Sequence, residues 1–210
     1  MLKVIKKPNF HIVREDKGIY FGETNSVNEK HGEGVTVTEK EIFEGKYNEN
    51  IKIEGFERNI DGIYTGDFVN GIRNGFGVFR WNNGEVYEGE WKNGMKEGHG
   101  VWKSPKGDFC EGQWKRNRQT GKGFFKHKNS TYNGEFLNSL KHGHGEENFS
   151  NGDKYVGKYK NGKPEGKGRY DWKDGSYYEG EFVNGMREGY GVWIDSNGTC
   201  YEGTYRNMLV

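Results

Sequence analysis

Tyr87-Glu-Gly-Glu-Trp-Lys-Asn-Gly94, continuing through Met95-Lys-Glu-Gly-His-Gly100, is the stretch on which the fold turns. An aromatic, a glycine and a second aromatic stand at alternate positions with glutamates between them. That is the period-two signature of a half-buried strand. A helix is excluded on energy, because each interior glycine costs about 1 kcal/mol relative to alanine. Asn93-Gly94 then favours a hairpin turn, since both residue types tolerate positive φ.

The arrangement recurs in both directions. The first aromatic slot is held by Tyr64, Tyr87, Cys110, Tyr132, Tyr155, Tyr178 and Tyr201. The second is held by Phe68, Trp91, Trp114, Phe136, Tyr159, Phe182 and Tyr205. The glycine between them never varies, and the spacing is 23 residues with one slip to 22 in the unit opening at Cys110. Self-similarity at such a period marks a repeat array, and arrays of this kind work as binding surfaces more often than as pockets. Asn-Gly pairs at 70–71, 93–94, 161–162 and 184–185 end the first strand of a unit. A second set of glycine turns, Asn83-Gly84, Lys106-Gly107, Asn151-Gly152, Asp174-Gly175 and Asn197-Gly198, leads into the next. Each unit is therefore read as a β-hairpin chained to its neighbour. The glycines at unit positions 3, 12 and 14 are expected to let an aromatic ring lie flat over the backbone.

Upstream the register decays. Tyr20 to Gly34 reads as one unit with an extra residue, and Phe43-Glu-Gly-Lys-Tyr47 opens another whose second Gly-x-Gly is missing. The expected organisation is an N-terminal extension or cap at 1–18, degenerate repeats at 19–63, and a regular array at 64–210 ending in a partial repeat. The fold class expected is all-β: an elongated, single-layer, twisted antiparallel sheet of tandem hairpins.

The motif resembles that of the MORN (membrane occupation and recognition nexus) repeat family, roughly YEGEWxNGxxxGxGxxxxxxG, which Tyr87 to Gly94 matches residue for residue. The resemblance implies a single antiparallel sheet and a non-catalytic interaction role. It also implies kinship with MORN-only proteins of radial spoke heads, ciliary axonemes and parasite cortical structures. Pairing through C-terminal repeats is a further habit of the family.

Composition narrows the function classes. Thirty-two basic against 31 acidic residues give a net charge of +1, so bulk attraction to nucleic acid is not expected. With a mean hydropathy of −1.08, the chain relies on its periodic rings for burial. No apolar run approaches the ~18 residues of a membrane-spanning helix, and the first residues lack a secretory apolar segment. A cytoplasmic, cytoskeletal setting is expected, with the axoneme of a cilium or flagellum as the expected place. Cys110 and Cys200 then read as reduced and structural.

No catalytic constellation, metal or cofactor is expected. His99 and His144 share a unit position but lie two units apart, about 19 Å across four strands, too far to share an ion. The Gly-x-Gly elements run into strands and not into the helix a phosphate loop needs. Serines, threonines and cysteines have no recurring histidine partner. The sequence ends within a repeat, and no attached catalytic domain is expected.

Two sets of residues stand out. Lys115, Arg116, Arg118, Lys122, Lys126 and Lys128 form an acid-free basic stretch in the 22-residue unit, a candidate anion or partner patch. Tyr201, Tyr205, Met208, Leu209 and Val210 form a candidate edge-strand interface, giving a homodimer or a heterotypic contact through residues 178–210. The reading is a scaffold whose partners are other proteins of a cytoskeletal or axonemal complex. The alternative is a membrane-associated adaptor binding acidic phospholipids.

Overall fold

The computed structural model describes residues 10–209; residues 1–9, within the expected N-terminal extension, and Val210 of the expected edge strand lie outside that range. Among the described residues there are eighteen strands and no helix. The chain divides into two units, residues 1–98 and 99–210.

In the first unit, β1 (Phe10–Glu15), β2 (Gly18–Thr24), β3 (Lys30–Thr38), β4 (Glu41–Asn48), β5 (Ile51–Asn59), β6 (Gly62–Val69), β7 (Ile72–Trp81) and β8 (Val86–Lys92) pair in chain order, each antiparallel to the next. The strand β9 (Met95–Lys103) runs across the division. In the second unit, β10 (Phe109–Lys115), β11 (Arg118–His127), β12 (Ser130–Leu137), β13 (Leu140–Phe149), β14 (Lys154–Lys160), β15 (Lys163–Asp171), β16 (Tyr177–Val183), β17 (Met186–Ile194) and β18 (Cys200–Met208) do the same. The expected all-β architecture of tandem antiparallel hairpins is what forms.

The hairpin turns follow from backbone conformation. Asn70 and Gly71 have φ of 52° and 74°, the mirror-image turn that matches strand twist. The Cys110 unit lacks Asn-Gly, yet Arg116 and Asn117 take the same path at 49° and 69°. Its missing residue is absorbed at the other turn, where only Lys128 and Asn129 separate β11 from β12.

The glycines sort into two jobs, which corrects the single explanation expected for positions 3, 12 and 14. Positions 3 and 14 face each other across successive interfaces, as in Gly134↔Gly145, Gly145↔Gly157 and Gly157↔Gly168. They form a ladder across the strands, and Tyr20, Tyr64, Tyr132, Tyr155 and Tyr178 lie over it in their units. A Cβ built on Gly145 would stand 2.4 Å from the Tyr132 hydroxyl, so no larger residue fits. Position 12 is different. Gly75 and Gly143 take φ of 98° and 60° where the register slips by a bulge, a conformation that favours glycine. The carboxylate at position 4 caps that bulge: Asp67 accepts a hydrogen bond from the Phe76 amide at 2.9 Å, and Glu135 from the His144 amide at 3.2 Å. The degenerate β4–β5 hairpin keeps the ladder (Gly45↔Gly55↔Gly66) but has a shorter slip where position 12 is not glycine.

Candidate functional site

The inner face of the second unit repeats one packing motif. Tyr132 is fully buried and meets Phe136 and Tyr159 edge-on, with ring centres 5.1 Å away in each case. Tyr155 meets Tyr159 and Phe182, and Tyr178 meets Phe182 and Tyr205, in the same geometry. Each ring thus touches the second aromatic of its own hairpin and of the next. Each hydroxyl donates to the carbonyl three residues on, Tyr132 to Glu135 at 2.9 Å and Tyr155 to Lys158 at 3.0 Å. Burial pushes these phenols above their ordinary pKa.

A cation lies over the rings from the opposite strand. Lys141, in register with Phe136, has its ammonium 5.1 Å from the Tyr132 centre. Arg187, in register with Phe182, sits 5.5 Å from that of Tyr178. Such contacts stabilise most where water is excluded. Lys141 is neutralised by an ion pair with buried Glu147, which also accepts from Tyr159 at 3.0 Å and Ser130 at 2.7 Å.

The unit opening at Cys110 breaks the motif twice. Cys110, buried and in no disulfide, stands where the others have tyrosine. Gln119, in register with Trp114, stands where Lys141 and Arg187 stand in their units; the Tyr155 unit has Pro164 there. It is 4% exposed, and its Nε2 has no hydrogen-bond partner. That nitrogen lies 2.6 Å from where a Cβ on Gly123 would be, much as the Tyr132 hydroxyl covers Gly145. The amide therefore occupies the hydroxyl's place while the ring's place stays empty. The result is an apolar cavity of about 320 Å³, lined chiefly by Cys110, Trp114, Gln119, Phe125, Phe136 and Leu140.

The outer face carries charges of both signs. Lys115 and Arg118 stand opposite one another at one end of the β10–β11 hairpin, with Arg116 in its turn. Lys122 faces Glu135 and Lys126 faces Thr131 along β11. Lys128 is in the turn at the far end, about 30 Å from Arg116 at ~3.3 Å per residue. All six are exposed, but only Lys115, Arg116 and Arg118 come together. A second, shallower cleft opens near Arg169, Tyr177, Glu179 and Tyr190; there Arg169 sits 3.7 Å above the Tyr177 ring and bonds Asp171 at 2.6 Å. In β18, Tyr201 and Met208 are exposed, as is Leu209 just beyond the strand, whereas Tyr205 packs on Tyr178 at 4.9 Å.

The sequence reading weighed Cys110 only as a structural thiol and did not single out Gln119. The signal was present: Cys110 is the one non-aromatic occupant of fourteen slots.

Fold and face together define a tandem β-hairpin repeat protein. The sequence profile of the MORN repeat matches residues 64–86, 87–109, 110–131, 132–154, 155–177 and 178–200, and the chain belongs to the MORN repeat family. That repeat is generally a non-catalytic interaction module. No curated protein matches the chain. Among solved structures it is similar to the SAS-4 (dCPAP) TCP domain of Drosophila melanogaster, in complex with a proline-rich motif of Ana2 (dSTIL). Identity there is 12% over 98% of this chain and 96% of that one, with a TM-score of 0.41. It is also similar to the TCP10 domain of Danio rerio CPAP in complex with a peptide of STIL, at 9% identity over 93% of this chain and 99% of that one, TM-score 0.45. Both likenesses are too loose to speak to partners.

Proposed function

We propose that this chain is a non-catalytic scaffold in a cytoskeletal assembly, of the kind built into ciliary axonemes or protist cortical structures, and that it works in the cytoplasm on that cytoskeleton. The observation that carries the reading is the division of labour between faces. Each unit spends its aromatics on its own stack, while the outer face sets opposite charges on neighbouring strands, as in Lys154–Glu146 at 2.9 Å and Arg169–Glu179 at 4.0 Å. Alternating signs over many repeats suit extended contact with proteins, where complementarity sets specificity. They suit an anionic membrane less, since acids interrupt the basic side chains. A contact between two copies through residues 178–210 belongs to the same proposal, supported by exposed Tyr201, Met208 and Leu209.

Imaging a tagged copy before and after detergent extraction tests the reading, with retention on a cytoskeletal structure as the expected result. The alternative, an adaptor on acidic phospholipids, draws on the group Lys115, Arg116 and Arg118. It requires flotation with anionic liposomes at physiological salt, and loss of that flotation when the six basic residues are replaced by glutamine. Detergent-soluble protein that floats with such liposomes would replace the scaffold by the adaptor.

A further inference from the structure

We propose that the cavity beside Cys110 receives one aromatic side chain, phenyl or indole, presented by a partner protein. The proposal rests on the interaction role above and specifies the chemistry of one contact.

The neighbouring hairpins show what such a site holds when it is filled. A position-1 ring in this chain has a fixed set of neighbours: the second aromatic of its own unit, the second aromatic of the next, and the position-10 residue above. For Tyr132 these are Phe136, Tyr159 and Lys141. For the unit at Cys110 the same three places hold Trp114, Phe136 and Gln119, and all three line the cavity. The walls are thus those of a ring site, with the ring left out. A thiol at its base replaces a much larger side chain, which accounts for the void.

The chemistry of the walls selects an aromatic over an aliphatic occupant. Trp114 and Phe136 stand where edge-to-face partners stand elsewhere, and such pairs prefer ring centres ~4.5–7 Å apart. The Gln119 Nε2 is buried without a partner, and a buried donor left unmade is costly. An aromatic face or an acceptor brought into the cavity gives that N–H a partner. The volume is near the lower end of ligand sites, roughly 300–1,000 Å³, which fits a side chain better than a cofactor. Partner knobs of this type supply much of the energy at protein interfaces.

The test uses the whole chain, with Cys200→Ser so that Cys110 is the sole thiol. N-acetyl-phenylalaninamide and N-acetyl-tryptophanamide are titrated against N-acetyl-leucinamide and benzene. The Gln119 side-chain amide and Trp114 indole NMR signals are followed, together with the rate of Cys110 alkylation. The expected result is saturable shifts of both signals by the two aromatic amides and several-fold slower alkylation at saturation, with little effect of the leucine amide. Equal effects of the leucine amide would reduce the cavity to a packing void and overturn the proposal. Binding of benzene alone would overturn the partner-side-chain source in favour of a small free aromatic. Cys110→Tyr should fill the site, raise the melting temperature and abolish the shifts. If that ring collides with Gln119, the pair Cys110→Tyr and Gln119→Lys reproduces the packed Tyr132–Lys141 arrangement and should do the same, read at Trp114. Shifts that persist in a folded, filled variant would place the binding elsewhere and sink the idea. These measurements need only the isolated chain, so their failure is separable from failure of the cytoskeletal reading.

Discussion

Tyr159 donates a hydrogen bond to Glu147 across 3.0 Å, and both residues are buried on the inner face of the second unit. The same carboxylate holds Lys141 above the Tyr132 and Tyr159 rings. Glu147→Ala removes the counter-charge of a mostly buried ammonium and the acceptor of a buried hydroxyl together. The expected loss is about 3 kcal/mol, the low end for breaking a buried pair. Glu147→Gln keeps an acceptor and should cost less. Urea unfolding checks this, through a lower midpoint at unchanged m-value; equal, small losses for both variants would show that the carboxylate is solvated.

The alternating-face assignment has its own test in the first unit. Trp91 is 5% exposed, and its indole N–H reaches the Gly77 carbonyl at 3.1 Å. Trp91→Ala should destabilise by about 3–5 kcal/mol. Glu88, three residues earlier and on the exposed face, should tolerate alanine within about 0.5 kcal/mol. Similar melting temperatures for the two variants would mean that the faces are exchanged.

What the sequence made legible is what depends on period. The Tyr-x-Gly-x-aromatic alternation places rings inward, and Tyr64, Tyr87, Tyr132, Tyr155 and Tyr178 are indeed fully buried. Asn-Gly marks turns because local φ decides them. The bulge was hidden, since nothing in Gly-x-Gly says which glycine needs positive φ. The caps Asp67 and Glu135 therefore looked like solvated alternation. The basic stretch looked continuous along the chain, but a strand alternates and ends in turns, so Lys128 falls far from Arg116. The cavity was invisible for another reason. It arises from two substitutions nine positions apart, Cys110 and Gln119, that only the hairpin register brings together.

The turn of the Cys110 unit should be improvable. Arg116 and Asn117 hold φ of 49° and 69°, where the equivalent Asn161 and Gly162 hold 52° and 86°. An arginine in the left-handed region costs roughly 1–2 kcal/mol that asparagine and glycine largely avoid. The pair Arg116→Asn and Asn117→Gly is therefore expected to raise stability by about 1 kcal/mol. Thermal unfolding reads the result, and a lower melting temperature would mean that contacts of Arg116 outweigh the backbone gain.

The ring stack also sets the alkaline limit of the fold. Burial, reinforced by Glu23, pushes the Tyr20 phenol up to about 12. Burial raises Tyr64, Tyr132 and Tyr155 as well, with Asp67 and Glu135 adding to the first two. In the unfolded chain these groups ionise near pH 10. A folded-state pKa above the unfolded one means that the native protein holds more protons between the two values. Stability from this source is complete below about pH 10 and is lost as pH rises from there through the folded-state values. Unfolding should therefore be cooperative above pH 10, the sheet and the buried phenols going together. Tyrosine ¹³Cζ NMR shifts followed alongside circular dichroism provide the check. The stacked tyrosines should stay protonated until the β signal collapses. If their ¹³Cζ signals moved reversibly near pH 10 with the sheet intact, the rings would be wetter than their packing requires.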